Sequence, residues 1–131
     1  PDGAEKYAWQ TNLAQVVALD DTTSDIFKVP AKLKDLYKKK DYGRWGVNGT
    51  MPVAFVASNH TSGGNSGSPV VNGRGELVGL NFDRPWENVA NDFGYNPAVA
   101  RNISVDIRFL LWLLEDVQKA DFILRELGLK R

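Results

Sequence analysis

The chain has no cysteine, one histidine (His60) and one methionine (Met51) among its 131 residues. Without cysteine there is neither a disulfide nor a thiolate metal site, and redox chemistry gives no clue to compartment. There is no charge of one sign to spend on an anionic partner, because 16 basic and 16 acidic side chains cancel. A global attraction to nucleic acid or to an anionic membrane surface therefore has no support. No uninterrupted apolar run approaches the roughly 18 residues that suggest a membrane span. Internal repeats and low-complexity segments are also missing. An initiating methionine and a signal peptide are lacking too, and Pro1-Asp2-Gly3 reads as the middle of something longer. What is present, 43% hydrophobic and 24% charged residues, describes one globular domain able to bury a core.

The densest local signal is Gly63-Gly64-Asn65-Ser66-Gly67-Ser68-Pro69. A serine flanked by glycines can stand exposed at a tight turn, since glycine carries no Cβ to forbid unusual backbone angles. The N–H groups of Gly64 and Ser66 are candidates for an oxyanion hole, often the largest electrostatic contribution to acyl transfer. An α/β-hydrolase elbow requires glycine two residues after the serine, where this chain has Ser68, so that fold is excluded and a chymotrypsin-like arrangement survives. On either side lie strand candidates, Pro52 to Ala57 and Ser68 to Val71. The turn Asn72-Gly73-Arg74-Gly75 then leads into Glu76 to Phe82 as a hairpin.

Taken in order, the apolar runs Tyr7-Ala8-Trp9 and Val16-Val17-Ala18-Leu19 read as strands. Pro30 stands where a helix begins, with Leu33, Leu36 and Tyr37 at helical spacing and Gly43 as its stop. Lys38, Lys39 and Lys40 are read as a solvated helix end, where cations complement the dipole, rather than a nucleic-acid patch. Pro85 to Pro97 reads as a long surface loop. Ile103-Ser104-Val105 is a last strand, Asp106 a cap for a helix carrying Ile107, Leu110, Leu111 and Leu114, and Ala120 to Leu127 a final helical piece. The fold class expected is mainly β with C-terminal helices, on a six-stranded barrel-like core.

Ser66 requires a base to take its proton. His60, six residues upstream, would have to fold back across the same loop, so it is assigned to holding that loop by a hydrogen bond. Asn65 replaces the aspartate that precedes the nucleophile in trypsin-like enzymes, which removes activation by a new amino terminus. From the residues alone, Asp83-Arg84 is an ion pair worth little at a surface.

The run Ser58 to Val70, followed by Gly79-Leu80-Asn81-Phe82-Asp83-Arg84 and Trp86-Glu87, resembles the C-terminal part of the bacterial serine dipeptidyl peptidases with a chymotrypsin-like double barrel. The similarity extends through Asp41 to Arg44, Asn48 to Val53 and Arg101 to Arg108. Arginine after Phe82-Asp83 matches the Asp/Glu-specific members. The resemblance implies that residues 1–131 are a fragment, the nucleophile-bearing second barrel of a larger peptidase. It further implies Ser66 as nucleophile, catalytic His and Asp elsewhere, and no metal or organic cofactor.

The same resemblance makes Asp83 the group that binds the substrate's free amino terminus, with Phe82 lining that region. Arg84 becomes the pocket for an acidic side chain just before the scissile bond, where its planar fork suits a carboxylate and an uncharged side chain would leave it unpaired. The expected parent is a dimeric enzyme of the periplasm or cell surface of a Gram-negative bacterium, acting on peptides with a free N-terminus and an acidic second residue. The fragment alone would be inactive. Two rivals stand beside this reading: a non-catalytic peptide-binding β-domain, and an interaction module whose apolar surface meets a missing half.

Overall fold

A computed structural model describes residues 8–86, 88 and 92–130. Tyr7 of the first expected strand and Glu87 of the resemblance lie outside the described residues. The chain divides into two compact units, one made of residues 8–11 and 54–107 and the other of residues 12–53 and 108–130.

The first unit is built on an antiparallel sheet. Its strands are β1 (Gln10–Asn12), β2 (Pro52–Ala57), β3 (Pro69–Val71), β4 (Leu77–Asp83) and β5 (Asn102–Asp106), in the order β1-β2-β5-β4-β3. β2 is the run Pro-Val-Ala-Phe-Val-Ala, rich in the β-branched and aromatic residues that suit a pleated surface, and its proline takes the first position, where a strand tolerates it. β3 and β4 form the expected hairpin. Asn72 closes its turn by accepting the N–H groups of Arg74 at 2.9 Å and Glu76 at 3.1 Å, and Gly75 supplies the positive φ of 79°.

Two features of this sheet bear on the site. On β5 the fully buried positions are polar, Asn102, Ser104 and Asp106, while Ile103 and Val105 between them are half-buried. In β4 the register against β5 slips: Asn81 faces Ser104, yet Asp83 faces Ile103, so Phe82 is an extra residue in a β-bulge.

The second unit is helical. α1 (Leu13–Ala18) contradicts the strand expected at Val16 to Leu19. Its N-terminus is a capping box in which Asn12 accepts the Gln15 N–H at 3.3 Å and donates its own N–H to the Gln15 side chain at 2.9 Å. Val16 and Val17 then pack on the core three and four residues after the buried Leu13. With that segment helical, the sheet has five strands among the described residues where six were expected.

α2 (Ala31–Lys39) follows Pro30 as expected, but Lys40, at φ 52°, ends it in the left-handed conformation before Gly43 is reached. Leu33 meets Leu13, Val29, Tyr42, Met51, Trp112 and Val117 in the unit's core. Trp112 is fully buried, set edge-on to Tyr42 with ring centres 6.1 Å apart, and its indole N–H donates to the Asp41 carbonyl at 3.3 Å. Trp112 ends α3 (Ile107–Trp112), which continues as a π-helical turn over Leu113–Val117 before α4 (Asp121–Glu126). Among the described residues no helix is long and apolar enough to cross a membrane.

Candidate active site

Ser66 lies in the connection from β2 to β3, in the first unit, and its side chain is exposed. The loop takes the shape the glycines promise, with Gly64 at φ 94° and Gly67 at φ 82° on either side of the Asn65-Ser66 pair. Nothing lies within 4 Å of where a Cβ would stand on either glycine, so their requirement is conformational, not steric crowding. The loop is closed on itself by Asn65, whose side-chain oxygen accepts the Ser62 N–H at 2.8 Å, and by the Ser68 N–H donating to the Asn65 carbonyl at 3.0 Å.

The loop is also fastened to the sheet. The Gly67 N–H donates to the Asn81 carbonyl at 2.7 Å, and the Asn81 N–H donates to the Ser68 carbonyl at 2.9 Å. The Asn81 side chain donates its amide to the Asn65 carbonyl at 3.1 Å, directly before the nucleophile candidate, and accepts from Asn102 at 3.1 Å. Asn102 in turn donates to the Ser104 hydroxyl at 2.9 Å. This is why the buried face of β5 is polar: it carries an amide relay from the interior to the residue preceding Ser66. Neither the Gly64 nor the Ser66 N–H donates to an acceptor among the described residues.

A cleft of about 270 Å³ opens beside this loop, lined by His60, Thr61, Asn65, Ser68, Asn81 and Asn102 among others. His60 is exposed and packs its ring on Tyr95, centre to centre 5.2 Å, while the Tyr95 hydroxyl donates to the Ser58 carbonyl at 2.7 Å.

The other predicted site residues sit where β4 ends. Phe82 and Asp83 are exposed, and the Asp83 carboxylate accepts the Arg84 N–H at 2.8 Å on one oxygen, while the other has no donor among the described residues. Arg84 departs from the expectation of a guanidinium unpaired until an acidic side chain arrives. Its Nη1 and Nη2 donate to the two oxygens of Asp92 at 2.7 and 2.9 Å, a two-pronged pair with side-chain exposures of 22% for Arg84 and 40% for Asp92. The hydrogen bonds to Asp92 raise the Arg84 guanidinium above its ordinary value. Asp92 is held below the usual carboxylate range by the Arg84 hydrogen bonds, helped by the Gly63 N–H and the nearby His60. Arg84 also reaches the start of the serine loop directly, its Nη1 donating to the Thr61 carbonyl at 3.4 Å.

Sequence reasoning named Ser66, Gly64, Phe82, Asp83 and Arg84, and all five fall in the same compact unit. It missed Asn81, Asn102 and Asp92. Asn81 was visible as a polar residue interrupting the apolar run of β4, a pattern that signals a buried hydrogen-bonding role, whereas Asn102 opens a strand in which polar and apolar residues alternate. Asp92 lies inside a long polar loop and carries no such signal.

The chain matches a protein-family model described as Peptidase S46 over residues 1–129. An Asp/Glu-specific dipeptidyl-peptidase of Flavobacterium psychrophilum is 50% identical over 103 residues, which is 79% of this chain and 14% of that protein. A dipeptidyl-peptidase 7 of Phocaeicola vulgatus is 41% identical over 128 residues, 97% of this chain and 18% of the relative. The crystal structure of Porphyromonas endodontalis DPP11 in complex with dipeptide Arg-Asp superposes with a TM-score of 0.90 at 43% identity, covering 96% of this chain and 18% of that one. The complex of the same protein with dipeptide Arg-Glu gives 0.92 at 42% identity, covering 100% and 19%. The chain therefore spans under a fifth of the length of these relatives.

Proposed function

Because the chain belongs to the Peptidase S46 family, we propose that it is the nucleophile-bearing segment of a serine exopeptidase that releases N-terminal dipeptides after Asp or Glu. Support for the substrate class comes from relatives named Asp/Glu-specific dipeptidyl-peptidase and from Arg84, a guanidinium at the end of β4 in the same unit as the serine. The observation that carries the reading is the Ser66 loop itself: an exposed serine between two left-handed glycines, pinned by Asn81, with two adjacent N–H groups lacking acceptors among the described residues.

In this mechanism the Ser66 hydroxyl loses its proton to a general base and its oxygen attacks the carbonyl carbon of the substrate's second residue. The N–H groups of Gly64 and Ser66 hold the oxyanion that forms. The carbon–nitrogen bond then breaks, the shortened peptide leaves as an amine with the base's proton, and water hydrolyses the dipeptidyl ester. The base and its orienting acid come from outside these 131 residues, the one histidine here being committed to the Tyr95 stack.

The open oxygen of Asp83 pairs with the substrate's ammonium, which makes the enzyme an exopeptidase, and Phe82 lines that end of the site. In the whole protein this sheet belongs to the second of two chymotrypsin-like barrels, in a dimer exported to the periplasm or cell surface of a Gram-negative bacterium.

The test is made in the full-length enzyme with dipeptidyl reporters ending in Asp, Glu, Leu and Met, on wild type, Ser66→Ala and Arg84→Gly. Ser66→Ala should abolish turnover and labelling by a fluorophosphonate. Arg84→Gly should lower kcat/KM on the acidic reporters by well over about tenfold, because truncating one member of a desolvated charge pair costs about 2–5 kcal/mol. Turnover retained in Ser66→Ala refutes the nucleophile. A uniform loss on all four reporters in Arg84→Gly refutes the pocket, and peptide binding without labelling returns the chain to a non-catalytic peptide-binding domain.

A further inference from the structure

Arg84 offers five N–H donors arranged as two edges, each able to take a carboxylate side by side. Asp92 uses the Nη1–Nη2 edge at 2.7 and 2.9 Å. The remaining Nη1 hydrogen is directed toward the Thr61 and Asn88 carbonyls, at 3.4 and 3.5 Å. That leaves Nε and the second Nη2 hydrogen, which have no acceptor among the described residues. The guanidinium is therefore gripped at one edge and open at the other.

The grip itself is anchored. The Thr61 carbonyl that accepts from Nη1 stands at the start of the loop that presents Ser66, and the Gly63 N–H of that loop lies near the Asp92 carboxylate. Around it, Asn88 is fully buried and bound to the Arg101 backbone through both its side-chain oxygen, at 2.7 Å from the Arg101 nitrogen, and its amide. An arginine with four rotatable bonds would otherwise sweep several ångströms, and a misplacement of about 1 Å at a reacting complex can cost about a hundredfold in rate.

We propose that Asp92 is a specificity-positioning residue: by holding the Nη1–Nη2 edge of Arg84 it sets how far the open Nε–Nη2 edge reaches toward the substrate, and so discriminates between Asp and Glu side chains. The inference rests on the reading of Arg84 as the acidic pocket. Two carboxylates then share one guanidinium, one belonging to the protein and one to the substrate. Asp and Glu carry the same charge and differ by one methylene, so the ratio of their kcat/KM values reports reach and cancels the electrostatic cost of bringing a second carboxylate near Asp92. A residue that merely supports the loop would move both values together.

The experiment uses full-length enzyme and the Asp, Glu and Leu reporters. Asp92→Glu keeps the pair but pushes the guanidinium outward by about one methylene, so the Asp-to-Glu ratio of kcat/KM should rise by about threefold or more in favour of the shorter side chain. Asp92→Asn should raise KM for both acidic reporters by about fivefold, with a smaller change for Leu, as the arginine loses its fixed position. Should Asp92→Asn fail to fold, Asp92→Glu alone decides. An unchanged Asp-to-Glu ratio in Asp92→Glu overturns the proposal, as does a KM for acidic reporters that falls in Asp92→Asn, which would make Asp92 a competitor of the substrate. A wild-type enzyme without preference for acidic over Leu reporters overturns the pocket reading and this inference with it, whereas acidic preference with an unmoved ratio overturns this inference alone.

Discussion

Asn81 is the residue whose replacement most directly tests whether the interior of the sheet governs the serine loop. It is 5% exposed, and its side chain makes two hydrogen bonds, donating to the Asn65 carbonyl and accepting from Asn102, each 3.1 Å long. Asn81→Ala deletes both and leaves the Asn65 carbonyl without its side-chain donor. Two net hydrogen bonds at about 1 kcal/mol each sum to about 2 kcal/mol of stability, and the Asn65 carbonyl is not stranded because it keeps the Ser68 N–H. Asn102 softens the loss, since its amide keeps the Ser104 hydroxyl. Asn81→Asp is the sharper probe: it has nearly the same shape but turns the donor facing the Asn65 carbonyl into a second acceptor, which pushes the loop away. Fluorophosphonate labelling of Ser66 in the full-length enzyme should slow by about ten- to a hundredfold in Asn81→Asp, because the nucleophile and the oxyanion donors move off line together. Urea unfolding run in parallel separates this from general destabilisation. If both variants lose the expected stability while labelling proceeds at the wild-type rate in the folded enzyme, the relay does not position the loop and the reasoning is wrong.

Three further outcomes are expected. Gly79→Ala should destabilise the protein by about 1–3 kcal/mol or more by overpacking, since a Cβ there would stand 2.6 Å from the Val105 carbonyl and 2.7 Å from the Phe55 ring; an unchanged urea midpoint would refute that close approach. Asp83→Asn should weaken discrimination between peptides with free and acetylated amino termini, whereas equal loss on both would mark Asp83 as a structural residue. Burial pushes the Asp116 carboxyl above the ordinary carboxylate range, so its ionised form opposes folding: the penalty is absent below the unfolded value, builds as pH rises past it and is complete above the folded one. Asp116→Asn should therefore gain stability over wild type at pH 7 and none at pH 3, and an equal difference at the two pH values would contradict this.

The elements that were legible in the sequence are those whose signals are local. Pro52–Ala57, the Asn72 to Gly75 turn and the helix after Pro30 all follow from residues within a few positions of one another. The strand expected at Val16 to Leu19 failed because four apolar residues in a row do not distinguish the two periods, and the deciding signal was the polar pair Asn12 and Gln15 just before them. At the site, glycine spacing located the serine turn, and resemblance pointed to Phe82, Asp83 and Arg84. The partners of these groups were not readable. Asn81 meets Asn65 across 16 positions, and Asp92 meets Arg84 through a loop whose composition announces nothing. Both contacts are products of strand pairing and loop closure, which no short window contains.

The bulge at Phe82 makes the chain's tolerance of length changes uneven. Upstream of it, Gly79 to Asn81 are locked in step with Asp106 to Ser104, and downstream Asp83 has moved to the rung that an unbroken ladder would give to Phe82. Removing Phe82 would close the ladder and leave Asp83 on the Ile103 rung, so its side chain would keep its side of the sheet. What would go is the exposed Phe82 ring and the local twist that the extra residue gives the strand. A single deletion at the bulge thus leaves Asp83 on its rung, whereas one in the regular pairs before it would shift those rungs against β5.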